Sequence, residues 1–233
     1  MPRLIRLICL MPDLRLVIFD VDGTLVDSQT EIMAAMTHAF AAEGLHMPAR
    51  DAVLSIVGLS LDVAFSRLCP DQPTERRARL VDAYKDAFAS LRTQNKEMGP
   101  LYPGAREALE LFRAQDHTFL AVATGKSRRG LDKVLERHRL QGVFHSEQVA
   151  DYHPSKPHPS MILTAMAETG ITSEAAIMVG DTTFDMDMAR AAGIKKIGVS
   201  WGYHPANALF PDALIHNFAD LPETVDDLMG QAP

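Results

Sequence analysis

The sequence predicts an α/β fold: a doubly wound, Rossmann-like parallel sheet with a helical cap domain inserted into it. Three features predict it. Short apolar runs recur and end at polar or acidic residues. Amphipathic helical patterns lie between them. One long stretch after the first run reads helical throughout. Strands of a parallel sheet are covered on both faces and so read as continuous apolar runs. Strands that alternate with helices build doubly wound sheets, whose ligands bind at the carboxyl ends of the strands.

The first run is Leu14–Phe19 (LRLVIF), which ends at Asp20. The helical stretch follows as Glu31–Ala42, Asp51–Val57, Leu61–Leu68 and Thr74–Leu91, punctuated by Gly44, Gly58, Pro70 and Pro73. Its length predicts a cap over the sheet's carboxyl edge. Gly99-Pro100 and Pro103-Gly104 mark the return to the sheet. A helix over Ala105–Ala114 presents Leu109 and Phe112 on one face. A strand over Phe119–Ala123 comes next, then helices over Leu131–Leu140 and Met161–Ala167, and strands over Ala176–Val179 and Ile197–Val199. The predicted division is a core of residues 11–27 and 99–233, a cap of residues 28–98, and an N-terminal extension of residues 1–10 ahead of a natural start at Met11. Hinges are expected near Asp27–Gln29 and Met98–Leu101.

The 233 residues are 47% hydrophobic and 23% charged, a globular composition that excludes a disordered or fibrous chain. The balance of 23 Lys+Arg against 30 Asp+Glu, a formal charge of −7, disfavours nucleic acid as a partner. Cys9 and Cys69 have neither CxxC nor metal-ligand spacing and read as idle thiols. No apolar run approaches the ~18 residues of a membrane span. The start, with two arginines and a short apolar stretch, has no small-residue cleavage site, so a signal peptide is not expected. The location expected is the cytoplasm, as a monomer or homodimer.

Four sites sit just after apolar runs or in a stiff loop. In Asp20-Val21-Asp22-Gly23-Thr24, two acids at i and i+2 leave the first strand. Acids there are costly unless solvated, paired or bound to a cation. In Gly180-Asp181-Thr182-Thr183-Phe184-Asp185, a strand again empties into acids, and Asp181 and Asp185 share one face of a helix start. Helix capping by Asp181 would explain one acid but not both. Four such carboxylates suggest an oxygen-ligand site for Mg²⁺. Thr124-Gly125-Lys126-Ser127 offers a hydroxyl and bare amides near a helix start, a cradle for an oxyanion. It is not a P-loop, because Leu120 stands where that motif needs its first glycine. Lys156 lies between Pro154 and Pro157 in a stiff loop.

These motifs in this order, DVDGT, a hydroxyl residue, a lysine and GDxxxD, resemble the haloacid dehalogenase superfamily of phosphotransferases over nearly the whole chain. The helical insertion resembles that family's first type of helical cap. The resemblance implies that Asp20 is the nucleophile forming an aspartyl-phosphate and that Asp22 is the acid and then the base. It implies that Thr124 and Lys156 hold the phosphoryl oxygens, beside Gly125 and Lys126. It places Mg²⁺ on Asp20, the backbone carbonyl of Asp22, Asp181 and Asp185. Asp22 argues against dehalogenase and phosphonatase branches, which lack an aspartate there.

Gly125-Lys126, Lys156-Pro157-His158-Pro159 and Trp201-Gly202-Tyr203 look most like the phosphoglycolate phosphatase-like branch. The expected activity is therefore Mg²⁺-dependent hydrolysis of a small phosphorylated metabolite, with phosphoglycolate a candidate. The alternatives are a sugar phosphomutase and a non-catalytic regulatory protein on the same fold. Mutases carry an arginine where Gly58-Leu59-Ser60-Leu61 places Leu61, and regulatory relatives typically lose one of the acids or the lysine that are all present here. Substrate choice is expected from the loop Val57–Asp62 and from Lys126, Ser127 and Arg128, with Val57, Leu59 and Leu61 giving an apolar cap surface. His153 and His158 are expected to pack rather than to bind metal.

Overall fold

The computed structural model of the protein describes residues 14–94 and 99–230. The expected extension of residues 1–10, the Met11 start, Cys9 and Met98 of the second hinge lie outside them.

Six strands form one parallel sheet in the order β3-β2-β1-β4-β5-β6. They are β1 (Arg15–Phe19), β2 (Thr118–Thr124), β3 (Ser146–Val149), β4 (Ala176–Gly180), β5 (Lys195–Val199) and β6 (Ala213–Ile215). Alternate side chains of the central strands enter two separate cores, as the pleat requires. Val17, Phe19, Leu120, Val122, Ile177 and Val179 pack on one face. They meet α5 (Ala105–Arg113), α6 (Arg128–His138) and α9 (Leu221–Met229) through Leu109, Phe112, Leu131, Leu135, Leu221 and Val225. Leu16, Ile18, Ala121, Ala123, Ala176 and Met178 pack on the other. They meet α7 (Ser160–Thr169) and α8 (Thr183–Ala192) through Met161, Ile162, Ala165, Met188 and Ala189. Helices on both faces make the sheet doubly wound, as predicted.

Two strands escape the sequence reading. β3 (SEQV) is an edge strand with one large apolar residue. Its polar side chains are satisfied locally: the Gln148 amide donates to Ser146 Oγ and Glu168 Oε2, both at 2.8 Å. β6 has only three residues. The first strand also differs, because it begins at Arg15, which lies inside the apolar run yet is 1% exposed. Its guanidinium donates to Thr118 Oγ1 at 2.9 Å, Gln115 Oε1 at 3.0 Å and Asp226 Oδ1 at 2.5 Å. A buried charge so fully paired is tolerated in a core.

Between β1 and α5 lie α1 (Gln29–Ala42), α2 (Arg50–Leu54), α3 (Leu61–Leu68) and α4 (Thr74–Gln94). They pack around their own cluster, which includes Met36, Phe40, Val53, Phe65 and Leu80, with Cys69 as a buried free thiol. Phe184 of the sheet domain joins this cluster and Tyr203 packs against it, so the insert is seated on the sheet's carboxyl edge. The two connections run antiparallel: the Asp27 N–H donates to the Pro100 carbonyl at 2.9 Å, and Val26 bridges Leu101. No helix among the described residues is long and apolar enough to cross a membrane.

Candidate active site

The ends of β1, β2 and β4 converge beneath the insert. Asp20 follows β1 and donates its N–H to the Val179 carbonyl at 3.0 Å. Thr124 closes β2 and is buried; Asp181 follows β4. Lys156 arrives from the loop between β3 and α7.

Lys156 Nζ donates to Asp20 Oδ1 at 2.7 Å and to Asp185 Oδ1 at 2.6 Å. All three side chains are 1% exposed or less. Asp20 Oδ2 is buried with no hydrogen-bond partner. Asp181 accepts the Thr24 hydroxyl and the Tyr203 N–H, each at 2.9 Å. A Cβ at Gly23 or Gly202 would collide with the Asp181 side chain, so both glycines make room for this acid. The cap of α8 is Thr182, not Asp181. Thr182 and Asp185 form a reciprocal capping box, in which Asp185 Oδ2 accepts the Thr182 N–H at 3.0 Å. Capping therefore occupies Asp185, and Asp181 is the acid that capping leaves unexplained.

One carboxylate oxygen each from Asp20, Asp181 and Asp185 lie within 4.8 Å of one another. Three buried acids face one lysine. Burial pushes Asp20 up to about 7 against the pull of Lys156. Burial, with Asp185 and Asp20 nearby, raises Asp181 well above the ordinary carboxyl range. Burial opposes the Lys156 ammonium, but Asp185 and Asp20 outweigh it and hold its pKa above the ordinary lysine value. Such a cluster lacks positive charge. Its all-oxygen donors and the orphaned Asp20 Oδ2 fit a hard divalent cation.

The Asp22 carboxylate stands outside this cluster. It pairs with Lys126 Nζ at 2.7 Å and accepts the Ser28 hydroxyl, which lies 3.1 Å from the Tyr203 hydroxyl. Any share of Asp22 in a metal site thus falls to its backbone carbonyl. Ser28, Tyr203 and Thr24 received no role from the sequence. Thr24 and Tyr203 lie inside the DVDGT and Trp201-Gly202-Tyr203 motifs and Ser28 lies six positions from Asp22, but the contacts to Asp181 and between Ser28 and Tyr203 span up to 175 positions, and nothing in the sequence assigns them.

The insert closes over these groups. A Cβ at Gly125 would meet the carbonyl oxygens of Gly58 at 2.5 Å and Leu59 at 2.7 Å. The Ser60 N–H donates to Ser155 Oγ at 2.9 Å, beside Lys156. The result is a cavity of about 180 Å³ that contains Asp20, Asp22, Thr124, Gly125 and Lys126 in its floor and Val57, Leu59 and Leu61 in its wall. Lys156 and the Asp181–Asp185 pair lie behind that floor. Arg128, expected at the substrate, pairs instead with Asp132 at 2.6 Å and Glu147 at 2.7 Å; Arg129 lines the cavity in its place. His153 is tied to Ser160 Oγ and Gln148 Oε1, both at 2.8 Å, which is a packing role.

The sequence profile of haloacid dehalogenase-like hydrolases matches residues 17–199, which includes every residue of this site except Gly202 and Tyr203. A protein named "Probable phosphatase IndB" from Dickeya dadantii is 37% identical over 213 residues, which cover 88% of this chain and 91% of that protein. A phosphoglycolate phosphatase from Pseudomonas putida is 30% identical over 227 residues, 93% of this chain and 82% of that one. The fold is shared with a solved structure titled a predicted phosphoglycolate phosphatase, from Haemophilus somnus. Its TM-score is 0.81 at 24% identity, with 92% of this chain and 99% of that chain covered. The chain belongs to the haloacid dehalogenase-like hydrolase family.

Proposed function

We propose that the chain hydrolyses small-molecule phosphate monoesters through an aspartyl-phosphate on Asp20, with Mg²⁺ in the carboxylate cluster. Its standing as a phosphatase rests on the family and on relatives matched along nearly their whole length. The covalent step rests on Asp20. One of its oxygens is held by Lys156, the other is buried and unpartnered, and the residue lines the cavity together with Thr124.

In the first step Asp22 enters as the carboxylic acid, its Oδ1 still accepting from Lys126; Asp20 Oδ2 attacks phosphorus, the bond to the ester oxygen breaks, and Asp22 gives its proton to the departing alkoxide. In the second, Asp22 takes a proton from water, the water oxygen attacks phosphorus, and the Asp20–phosphorus linkage breaks to release inorganic phosphate. Dividing the displacement replaces one difficult step by two easier ones. Thr124 and Lys156 bind the phosphoryl oxygens, on which charge accumulates. Asp20, Asp181, Asp185 and the Asp22 carbonyl would hold Mg²⁺, which when bound supplies positive charge against the repulsion between carboxylate and phosphoryl group. Residues 28–98 act as a cap on a core of residues 11–27 and 99–233, and exclude water other than the attacking one. Leu61 in the cavity wall, where a mutase needs a phosphate-gripping arginine, favours hydrolysis over phosphoryl transfer within a sugar.

The test is phosphate release from p-nitrophenyl phosphate and a panel of small esters, with and without Mg²⁺, alongside Asp20→Asn. Mg²⁺-dependent release that disappears in the variant is expected. Release that persists in Asp20→Asn would remove the covalent mechanism.

A further inference from the structure

We infer that the ester this site selects carries a predominantly apolar alcohol, about as bulky as one six-membered carbon ring, in preference to glycolate or a sugar. The inference rests on the phosphatase reading above.

The polar side chains of the cavity lining are Asp20, Asp22, Thr124, Lys126 and Ser127 from the strand ends and the loop after β2, with the exposed Lys85 and Arg129. Beyond them the wall is hydrocarbon from the insert: Met36 of α1, Ile56 and Val57 of the following loop, Leu61 of α3, and Tyr84 and Phe88 of α4. Met36, Ile56 and Val57 belong to the insert's own core, and their presence there is explained by packing. Leu61, Tyr84 and Phe88 are only partly buried and line the cavity, the Phe88 ring with Lys126 Nζ 5.4 Å from its centre. Covering such surface with a ligand is favourable in proportion to its area.

Glycolate places a carboxylate two bonds from the ester oxygen, level with this hydrocarbon. A charge buried there without a partner is strongly disfavoured. Among the described residues the cation at that depth is Lys126, whose side chain is 9% exposed and already paired with Asp22 at 2.7 Å. The other cations of the lining, Lys85 and Arg129, are exposed. The volume agrees with the chemistry. A dry apolar cavity of roughly 150 Å³ accepts benzene, and this one, at about 180 Å³, includes the phosphoryl seat.

The test is a series of n-alkyl phosphates from methyl to hexyl, with benzyl phosphate and phosphoglycolate, assayed by phosphate release with Mg²⁺ present. These alkyl and benzyl alcohols are similarly poor leaving groups, so the ranking reports binding of the alcohol. We expect kcat/KM to rise by up to about fourfold per buried methylene, with hexyl and benzyl phosphate above phosphoglycolate. We also expect the hexyl-to-methyl ratio to fall roughly tenfold in Leu61→Gln, in which a polar amide replaces part of the wall. A flat alkyl series, or phosphoglycolate ranked first, would overturn the inference and leave the phosphatase standing. Phosphoglycolate first would also mean that Lys126 leaves Asp22 for the substrate's carboxylate. Absence of release from every ester, by protein that melts cooperatively, would instead overturn the phosphatase reading and this inference with it.

Discussion

Replacing Lys156 by methionine tests the electrostatic design of the site. The ammonium lies 2.7 Å from Asp20 and 2.6 Å from Asp185, fully buried, and it is the cation that both acids share. Methionine fills similar volume and removes only the charge. Losing one partner of a buried ion pair costs about 3–5 kcal/mol, because the other charges remain desolvated. For a chain of this size 1 kcal/mol moves Tm by roughly 2–4 °C, so the metal-free variant should melt about 10 °C below wild type at pH 8. The gap should shrink near pH 5. Asp20 already titrates at about 7 with Lys156 beside it. Without that cation its pKa rises further, and a protonated Asp20 needs no partner charge. The assay is calorimetry in chelator at the two pH values, with phosphate release alongside. Activity should fall by roughly 10²–10³, the usual loss when a donor to developing phosphoryl charge is removed. A Tm within about 2 °C of wild type at pH 8, or a gap independent of pH, would refute the reasoning.

Three further outcomes follow from particular contacts. In metal-free protein, Asp20 holds a proton that the unfolded chain has shed between its ordinary carboxyl range and about pH 7, and Asp181, also raised by burial, acts in the same direction. Their contribution is therefore lost as pH rises through that window, and Mg²⁺ should abolish the decline; equal Tm profiles with and without Mg²⁺ would contradict this. Gly125→Ala drives a Cβ into the carbonyls of Gly58 and Leu59, so it should unseat the insert, raising KM and lowering kcat while α/β secondary structure persists by circular dichroism. Gly99→Ala places a side chain at φ +59°, 3.0 Å from Glu31 Oε1, at the second connection to the insert; kcat and KM should change together, and unchanged kinetics would remove the hinge assignment.

Much of this structure was legible because its signals are local. The apolar runs that became β1, β2, β4 and β5 are buried on both faces, and an acid or hydroxyl after each run marks the carboxyl edge. Asp20, Asp181 and Asp185 converge because β1 and β4 are neighbours; the alternation of strands and helices implies the parallel sheet, and the structure supplies the strand order. The α3 boundaries, Leu61–Leu68, match the reading from pattern, since Ser60 precedes and Pro70 follows.

What was not legible depends on long-range partners or lacks hydrophobic signal. β3 is polar and β6 too short for periodicity to register. Arg15 stands in an apolar run with no partner near it in sequence, and only the fold brings Thr118, Gln115 and Asp226 to it. Lys126 read as a substrate contact, and it does line the cavity, but its ties to Asp22 and to the ring of Phe88 in the insert, 5.4 Å away, had no signal in the sequence. Arg128 read likewise, but Glu147 of the unrecognised β3 claims it. The link from Ser28, six residues after Asp22, to Tyr203 joins two segments 175 positions apart that no spacing relates.

The most direct measurement is a rapid acid quench of the first turnover with an ester labelled at phosphorus, followed by peptide mapping. Covalent catalysis at Asp20 predicts a burst of alcohol ahead of phosphate, with the label on the Asp20 peptide during the burst and its loss to inorganic phosphate afterwards. Alcohol and phosphate released in step, with no label on the protein at any time, would contradict it.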